Sequence, residues 1–421
     1  MSRQQALARD AADPLAAHRA AFALPDGVIY LDGNSLGALP RAAVERAQRV
    51  VAQEWGAALI RSWNDAGWID LAQRVGAKIA RLIGAQPNEV ICADSTSVNL
   101  FKVLAATLRL QDARPRVSGA ARRVILSERG NFPTDLYVAQ GVAQWLGGQY
   151  ELRLVEAEGI AAALDDSVAV LMLTHVNFKS GAMHDMAALT RQAHAAGALV
   201  VWDLAHSAGA VPVDLTVADA DFAVGCGYKY LNGGPGAPAF VYAAQRHLAA
   251  LAGHPYAQPL TGWFGHREPF AFGTDYRPAA GIERFAVGTP SIVALSLLEC
   301  GVDTVLAAGI DALRSKSIAL TDAFIAQVEQ LCPELPLASP RDAAVRGSQV
   351  SFRHPHAYAV MQALIARGVI GDVRAPDILR FGFAPLYVRH VDVHDATRTL
   401  ADVLRDASWR DARFQQKAVV T

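Results

Sequence analysis

Cysteine is scarce in this chain, four in 421 residues, and Cys92, Cys226, Cys300 and Cys332 stand far apart without C-x-x-C spacing. Neither a disulfide framework nor a cysteine metal clip is expected from them. No stretch reaches the roughly 18 consecutive apolar residues of a membrane span. Met1 to Ala23 mixes alanine with Arg3, Arg9, Asp10, Asp13 and Arg19, where a secretion signal would carry an uninterrupted apolar run. The cytosol is the expected location. Lys/Arg-rich runs are also missing, and the formal net charge is −1, so neither nucleic acid nor an anionic membrane is indicated as a partner. A Walker A loop and a helix-opening G-x-G-x-x-G are both absent. The only close histidine pairs, His354/His356 and His390/His394, lack a Glu or a third ligand in a recognisable pattern. No metal site is expected.

What is present is an ordinary globular composition, 52% apolar and 19% charged, on a chain long enough for two or three domains. From about Val90 to Val241 short apolar runs alternate with longer amphipathic ones. Strands are expected at Val90–Ala93, Val124–Leu126, Val168–Thr174, Leu199–Trp202, Phe222–Val224 and Ala239–Tyr242. Helices are expected over Val98–Leu110, from about Pro133, and over Asp185–Ala196. Near-continuous apolar strands separated by helices indicate a mostly parallel sheet covered on both faces. Ligands of such sheets collect beyond the C-terminal strand ends. Helical patterns over Ser291–Thr304 and Ile310–Leu331 lead into an α+β pattern, with strands at Gln349–Phe352 and Ile378–Phe381 and a helix at Tyr358–Ala366. The expected division is an N-terminal segment 1–60, a large α/β domain 61–304 and a small C-terminal domain 305–421.

Asp203 ends one of these strands, and Lys229 follows 26 residues later in a turn rich in glycine and tyrosine. A pyridoxal phosphate site needs a lysine to form a Schiff base and a carboxylate to keep the ring nitrogen protonated. An acid at one strand end and a lysine just past the next strand meet both needs in one crevice. On the residues alone, Lys229 could equally be a solvated loop lysine and Asp203 the cap of a turn. Asp94-Ser95-Thr96-Ser97 before a helix offers hydroxyls and free N–H groups to a phosphate, as any N-cap does. Phe132 could stack on a flat ring or simply pack in the core.

Taken together the motifs closely resemble the kynureninase family in its bacterial form. The matching stretches are Leu31–Gly37 (L-D-G-N-S-L-G), Asp94–Lys102, Phe132–Asp135, His175–Gly181, Trp202–Ser207, Tyr228–Asn232, Gly262–His266 and Arg380–Tyr387 (R-F-G-F-A-P-L-Y). They span about residues 28 to 390. The resemblance implies an aspartate-aminotransferase-like α/β fold, fold type I of the pyridoxal-phosphate enzymes, with a mostly parallel sheet of seven strands in the large domain. It implies Lys229 as the Schiff-base lysine, Asp203 as partner of the ring nitrogen, and His206 as a nearby cofactor contact. Phe132 would stack on the ring with Asp135 beside it. Thr96, Ser97 and Tyr228 would contact the phosphate region, and Thr174 would add a polar contact. Trp263 and Thr289 would reach the site from a neighbouring subunit, making a homodimer. Arg380 would grip the substrate α-carboxylate, and Trp63 with Gly288-Thr289 would shape the aryl pocket.

The implied reaction is hydrolysis of L-kynurenine to anthranilate and L-alanine, a step of tryptophan catabolism connected to NAD biosynthesis, with Tyr228 as candidate acid/base. Where the human-type enzyme has Asn this chain has Thr289, and where that enzyme has Leu-Thr this chain has Thr96-Ser97. Both favour kynurenine over its 3-hydroxy form, while leaving room for some activity on the latter. The rivals are another enzyme of this fold, such as a cysteine desulfurase or an aminotransferase, or a non-catalytic cofactor-binding protein. A desulfurase needs a nucleophilic cysteine on a mobile loop, and Cys332, before Pro333, lacks a Gly/Ser-rich surround.

Overall fold

The computed structural model describes residues 1–114 and 121–416. Twelve strands are formed among them: β1 (Ile29–Tyr30), β2 (Val90–Cys92), β3 (Val124–Glu128), β4 (Glu151–Val155), β5 (Val168–Thr174), β6 (Leu199–Asp203), β7 (Phe222–Gly225), β8 (Phe240–Ala243), β9 (Gln349–Arg353), β10 (Val369–Ile370), β11 (Asp372–Arg374) and β12 (Ile378–Gly382). The central sheet has seven strands in the order β2-β8-β7-β6-β5-β3-β4. Only β8 runs against its neighbours; the β4-β3-β5-β6-β7 pairings are parallel. The expected α/β class with a mostly parallel seven-stranded sheet is therefore found.

All seven residues of β5 are buried, as are all five of β6. Helices cover both faces, so an alternating polar pattern would place side chains where no water reaches them. The exception is β4, which the sequence reading passed over. Glu151-Leu152-Arg153-Leu154-Val155 lies at the sheet edge, half-buried, and its charged residues break the apolar run that marked its neighbours. The helix after β2 begins at Thr96, earlier than Val98, because the Ser95 hydroxyl caps the Val98 N–H at 3.4 Å.

The C-terminal ends of β3, β5, β6 and β7 share one edge of this sheet. Because β8 is reversed between β7 and β2, the end of β2 at Cys92 emerges there too. Residues distant in sequence thus meet at one edge: 94–97, 132–135, Thr174, 203–206 and 228–229.

A second layer is the antiparallel sheet β11-β12-β9, on which Ile310–Leu331 and Ala357–Ile365 pack, with His390–Arg405 laid across those two helices. The N-terminal segment is docked against this part of the chain. β1 pairs in parallel with β10, Asp13 meets Lys316 at 2.6 Å, and the Asp10 carboxylate accepts from the N–H groups of His390 and Val391 at 2.6 and 3.0 Å. That carboxylate caps the first turn of the last long helix from a distant part of the chain, beside the local cap that Asp392 gives the Arg389 N–H.

At the opposite, N-terminal edge of the sheet, Asp221 is 1% exposed and accepts hydrogen bonds from Val200 N–H (2.8 Å), His247 (2.6 Å) and Arg246 (2.9 Å), with His194 at 2.8 Å. Despite burial, these partners hold its carboxyl well below the ordinary range. Its contribution is present above the pKa of an unfolded aspartate and is lost as pH falls below it. Asp221→Asn should lower unfolding stability by about 3 kcal/mol at neutral pH, because the anion is removed and its four donors are left a single amide oxygen to share. Denaturant unfolding of wild type and variant checks this; an effect below about 1 kcal/mol would contradict it.

Candidate active site

Asp203 is the last residue of β6, and one of its carboxylate oxygens accepts from the Ala205 N–H at 2.8 Å. Beside it lies Asp135, in the first turn of the helix Pro133–Trp145. Thr174, ending β5, donates to Asp135 at 3.3 Å and also contacts Asn131. Asn131 is tied in turn to Ser127 of β3 at 3.2 Å. Burial raises the Asp203 carboxyl above the ordinary range, and the Lys229 ammonium opposes that shift. Asp135 is pushed well above its ordinary range, first by burial and then by the charge of Asp203. Two carboxyls in one buried crevice cannot both ionise readily. The proton sits on Asp135, which donates to Asp203 and leaves Asp203 the anion.

Lys229 lies four residues past the end of β7. Its Nζ is 3.0 Å from His206 Nε2 and 5.8 Å from the centre of the Tyr228 ring. Burial, followed by Lys229, Arg380 and Arg374, drives the His206 imidazole well below its ordinary pKa, so it is neutral and able to accept from an ammonium. Burial raises the Tyr228 hydroxyl, which stays a neutral donor. The L-D-G-N-S-L-G stretch braces this turn: Gly37 N–H donates to the Tyr228 carbonyl at 2.8 Å. A Cβ on Gly37 would come within 2.3 Å of the Lys229 carbonyl oxygen, so only glycine permits this approach.

A cavity of about 490 Å³ opens beside the turn, lined by Ser95, Thr96, Tyr228, Phe264, Gly288 and Thr289 among others. The N-terminus of the helix Thr96–Ala113 points its free N–H groups there. Ser97 is one residue further into the helix and does not line the cavity. Phe132 is 40% exposed and meets Phe178 edge to face at 5.1 Å. The donor set suits pyridoxal phosphate: an amine for its aldehyde, a buried anion for its ring nitrogen, an exposed aromatic face, and a helix N-terminus with hydroxyls for its phosphate.

The other expected residues lie in, beside or apart from this cavity. Gly288 and Thr289 share the cavity with Thr96 of the same chain. Trp263 is 37% exposed and lines a second, more open cavity with Phe272 and Tyr276, outside the one that holds Thr96. Trp63 packs on Phe264 at 5.7 Å and Trp68 at 5.9 Å, bordering the cavity through Phe264. Arg380 is 1% exposed. Its Nε donates to Asp372 at 2.7 Å, and its terminal nitrogens donate to the Phe178 carbonyl (2.5 Å) and to Ser35 Oγ (2.6 Å). Ser35 and Asp372 were not singled out as site residues in the sequence. Ser35 sits in a stretch that was noted for its resemblance, but Asp372 carries no local signal: the β11-β12 register alone sets it opposite Arg380. Among the described residues no three His, Cys, Asp or Glu side chains converge to hold a metal ion. Cys332 is buried at the end of the helix Ile310–Leu331, its thiol pushed up to about 12 by burial. It is poorly suited to be a nucleophile.

Comparison with known proteins adds independent observations. The family model described as the kynureninase C-terminal domain matches residues 313–400. Over the whole of both chains this sequence is 57% identical to the kynureninase of Burkholderia mallei (strain SAVP1), and 55% identical to that of Pseudomonas fluorescens. Among solved structures it is similar to the apo cysteine desulfurase from Thermococcus onnurineus NA1 (TM-score 0.76, 21% identity, 93% of this chain and 98% of that one). It is also similar to a C-DES mutant with glycine covalently linked to its PLP cofactor (TM-score 0.73, 17% identity, 90% and 97%). At such identities these two likenesses speak for the shared fold, fold type I, and not for a shared reaction. The full-length identity to the two bacterial kynureninases goes further: this chain belongs to the kynureninase family.

Proposed function

We infer that the chain hydrolyses L-kynurenine to anthranilate and L-alanine with pyridoxal phosphate as cofactor, in tryptophan catabolism. The observation that carries this reading is identity of 57% extending over the whole length of a curated kynureninase. When bound, pyridoxal phosphate supplies an electron sink for negative charge developing at the substrate α- and β-carbons.

The residues named here are our assignment. Lys229 Nζ is the attachment point for the cofactor and, once free, the base that takes the α-proton. The neutral His206 at 3.0 Å accepts from Lys229 and fixes its direction. The Asp203 carboxylate holds a proton on the ring nitrogen, and protonated Asp135, fixed by Thr174, keeps Asp203 in place as the anion. Thr96, Ser97 and Tyr228 hold the phosphate region, and Phe132 covers one face of the ring. Arg380 grips the α-carboxylate. Water adds at the γ-carbonyl, and the Tyr228 hydroxyl, a neutral donor, exchanges a proton with the resulting oxygen as the Cβ–Cγ bond breaks. Trp63, Gly288 and Thr289 bound the aryl ring and favour kynurenine over its 3-hydroxy form.

The division into segments 1–60, 61–304 and 305–421 belongs to the same proposal, as does a cytoplasmic homodimer with the active site at the subunit interface. Among the described residues no single helix is long and apolar enough to cross a membrane. The dimer reading is supported by an exposed aromatic surface around Trp263, where Phe270 and Phe272 are 61% and 80% exposed; contiguous apolar surface of this kind marks interaction sites.

Asp203→Asn should keep the cofactor bound while turnover falls by about 3 kcal/mol of barrier or more, roughly a hundredfold. Single-turnover rates on cofactor-saturated protein read this, and wild-type turnover would reject the role. If Trp263 acts across an interface, mixing Lys229→Ala chains with Trp263→Ala chains should restore activity in up to half of the sites of mixed dimers. No recovery after verified subunit exchange would place Trp263 in its own chain's site. The variant Trp63→His/Thr289→Asn should raise the ratio of kcat/KM for 3-hydroxykynurenine over kynurenine, since unpaired polar groups penalise the substrate lacking the hydroxyl. An unchanged ratio would remove these two residues from the aryl pocket.

A further inference from the structure

The L-D-G-N-S-L-G stretch contains one buried carboxyl that the reaction as described leaves unused. Asp32 lies directly after β1, and its backbone bridges to Gly382 at the end of β12. From this position it faces the Arg380 clamp. Arg380 and Arg374 both pair with Asp372, Arg374 at 2.8 Å. Ser35 donates to Asp372 at 2.7 Å while accepting from Arg380. Asn34 is fully buried between the two: with its amide oriented to satisfy both neighbours, the nitrogen donates to Asp32 at 3.3 Å and the oxygen accepts from Arg380 Nε at 3.1 Å. Among the described residues Asp32 itself forms no direct ion pair. Besides Asn34 it meets the Ser35 hydroxyl and the Asp372 carboxyl, the latter by a hydrogen bond that only a protonated partner can make.

The charges facing Asp32 can be counted across every element packed on it. Arg374 and Asp372 come from β11 and Arg380 from β12. Tyr30 from β1, Tyr230 from the lysine turn and Tyr387 beyond β12 are all neutral phenols, held so by burial. Two guanidiniums and Asp372 leave one net positive charge when Asp32 is neutral, and none when it is ionised. Burial first, then the charge of Asp372, raises the Asp32 carboxyl to about 7, against the pull of Arg380.

We propose that Asp32 is a positioning residue for the substrate α-carboxylate: neutral, it leaves the Arg374–Arg380–Asp372 cluster with one positive charge for the substrate to neutralise; ionised, it takes that charge away. Binding of the substrate anion then draws a proton onto Asp32. The inference rests on the reading that Arg380 grips the α-carboxylate, and it adds to that reading the group that sets the strength of the grip. It also links the clamp to the lysine, because His206 feels both arginines as well as Lys229.

The sign follows from the raised carboxyl. Below about pH 7 Asp32 is neutral and the clamp is open to an anion; above it, the substrate must compete with Asp32 ionisation. For the wild-type holoenzyme, KM for L-kynurenine should rise on the order of tenfold between about pH 7 and pH 8.5, while kcat changes by less than about twofold. In Asp32→Asn the KM should stay flat over that range, apart from the titration of the substrate amine, which both proteins share. A variant whose KM follows the wild-type profile would overturn the proposal.

Calorimetry supplies a second measurement that needs no variant. Desaminokynurenine, the substrate analogue lacking the α-amine, binds through its carboxylate without exchanging with Lys229. Titrated into wild-type holoenzyme at about pH 8 in buffers of different ionisation enthalpy, it should take up close to one proton; no uptake would overturn the proposal even if Asp32→Asn fails to fold. Arg380→Lys separates the two readings. A raised KM in Arg380→Lys together with a wild-type pH profile in Asp32→Asn removes only the role of Asp32. An unchanged KM in Arg380→Lys removes the Arg380 reading, and with it this one.

Discussion

A carboxylate taken out of water costs several kcal/mol unless partners inside the protein replace what the solvent gave. Asp203 stands at the end of a fully buried strand, and its surroundings are organised around that cost. The Ala205 N–H donates to it, Asp135 carries the proton the pair shares, and the Lys229 ammonium lies close enough to draw its pKa down. Thr174, at the end of β5, donates to Asp135 and is itself tied through Asn131 to Ser127 of β3. Asp135 and Lys229 follow two other parallel strands, β3 and β7, so these partners meet Asp203 only where the sheet is assembled. A cationic ring nitrogen is the natural remaining partner for a charge held this way.

The same economy of charge recurs on the other side of the lysine turn. The segment around Asp32, Asn34 and Ser35 closes over Arg380, while Gly37 braces the backbone of Tyr228 and Lys229. A piece of chain from the N-terminus therefore touches both the group proposed to carry the cofactor and the group proposed to hold the substrate. Its own position is fixed by β1 against β10 and by Asp10 and Asp13 on the C-terminal layer.

The fold is shared with cysteine desulfurases at about one-fifth identity, yet the chemistry belongs to side chains that the fold merely presents. Here the cysteine nearest to a desulfurase role, Cys332, is buried in a helix end with a raised thiol. Present instead are the Arg380–Asp372 pair, the Trp63–Phe264 contact and the cavity lined by Thr96 and Thr289. Full-length likeness to kynureninases agrees with that distribution of side chains.

Much of this was legible in the residues in order. Apolar runs such as Val168–Thr174 and Leu199–Trp202 can only be strands covered on both faces, and Ser95 ahead of Thr96 announces a helix start, because these are short-range demands of burial and hydrogen bonding. That Asp203 and Lys229 lie near one another was also readable, since one ends and the other follows adjacent parallel strands. The edge strand β4 was not, because its charged residues mimic a loop. Nor could order in sequence reveal that Trp263 lines a cavity apart from the one that holds Thr96, or that Asp372 pairs with Arg380 across a hairpin. Chain order determined the elements and the chemistry-bearing types. Only tertiary structure decided which carboxyls share a proton, Asp135 with Asp203 and Asp32 beside Asp372, because that depends on distances between groups up to about 340 residues apart in a medium too dry to screen them.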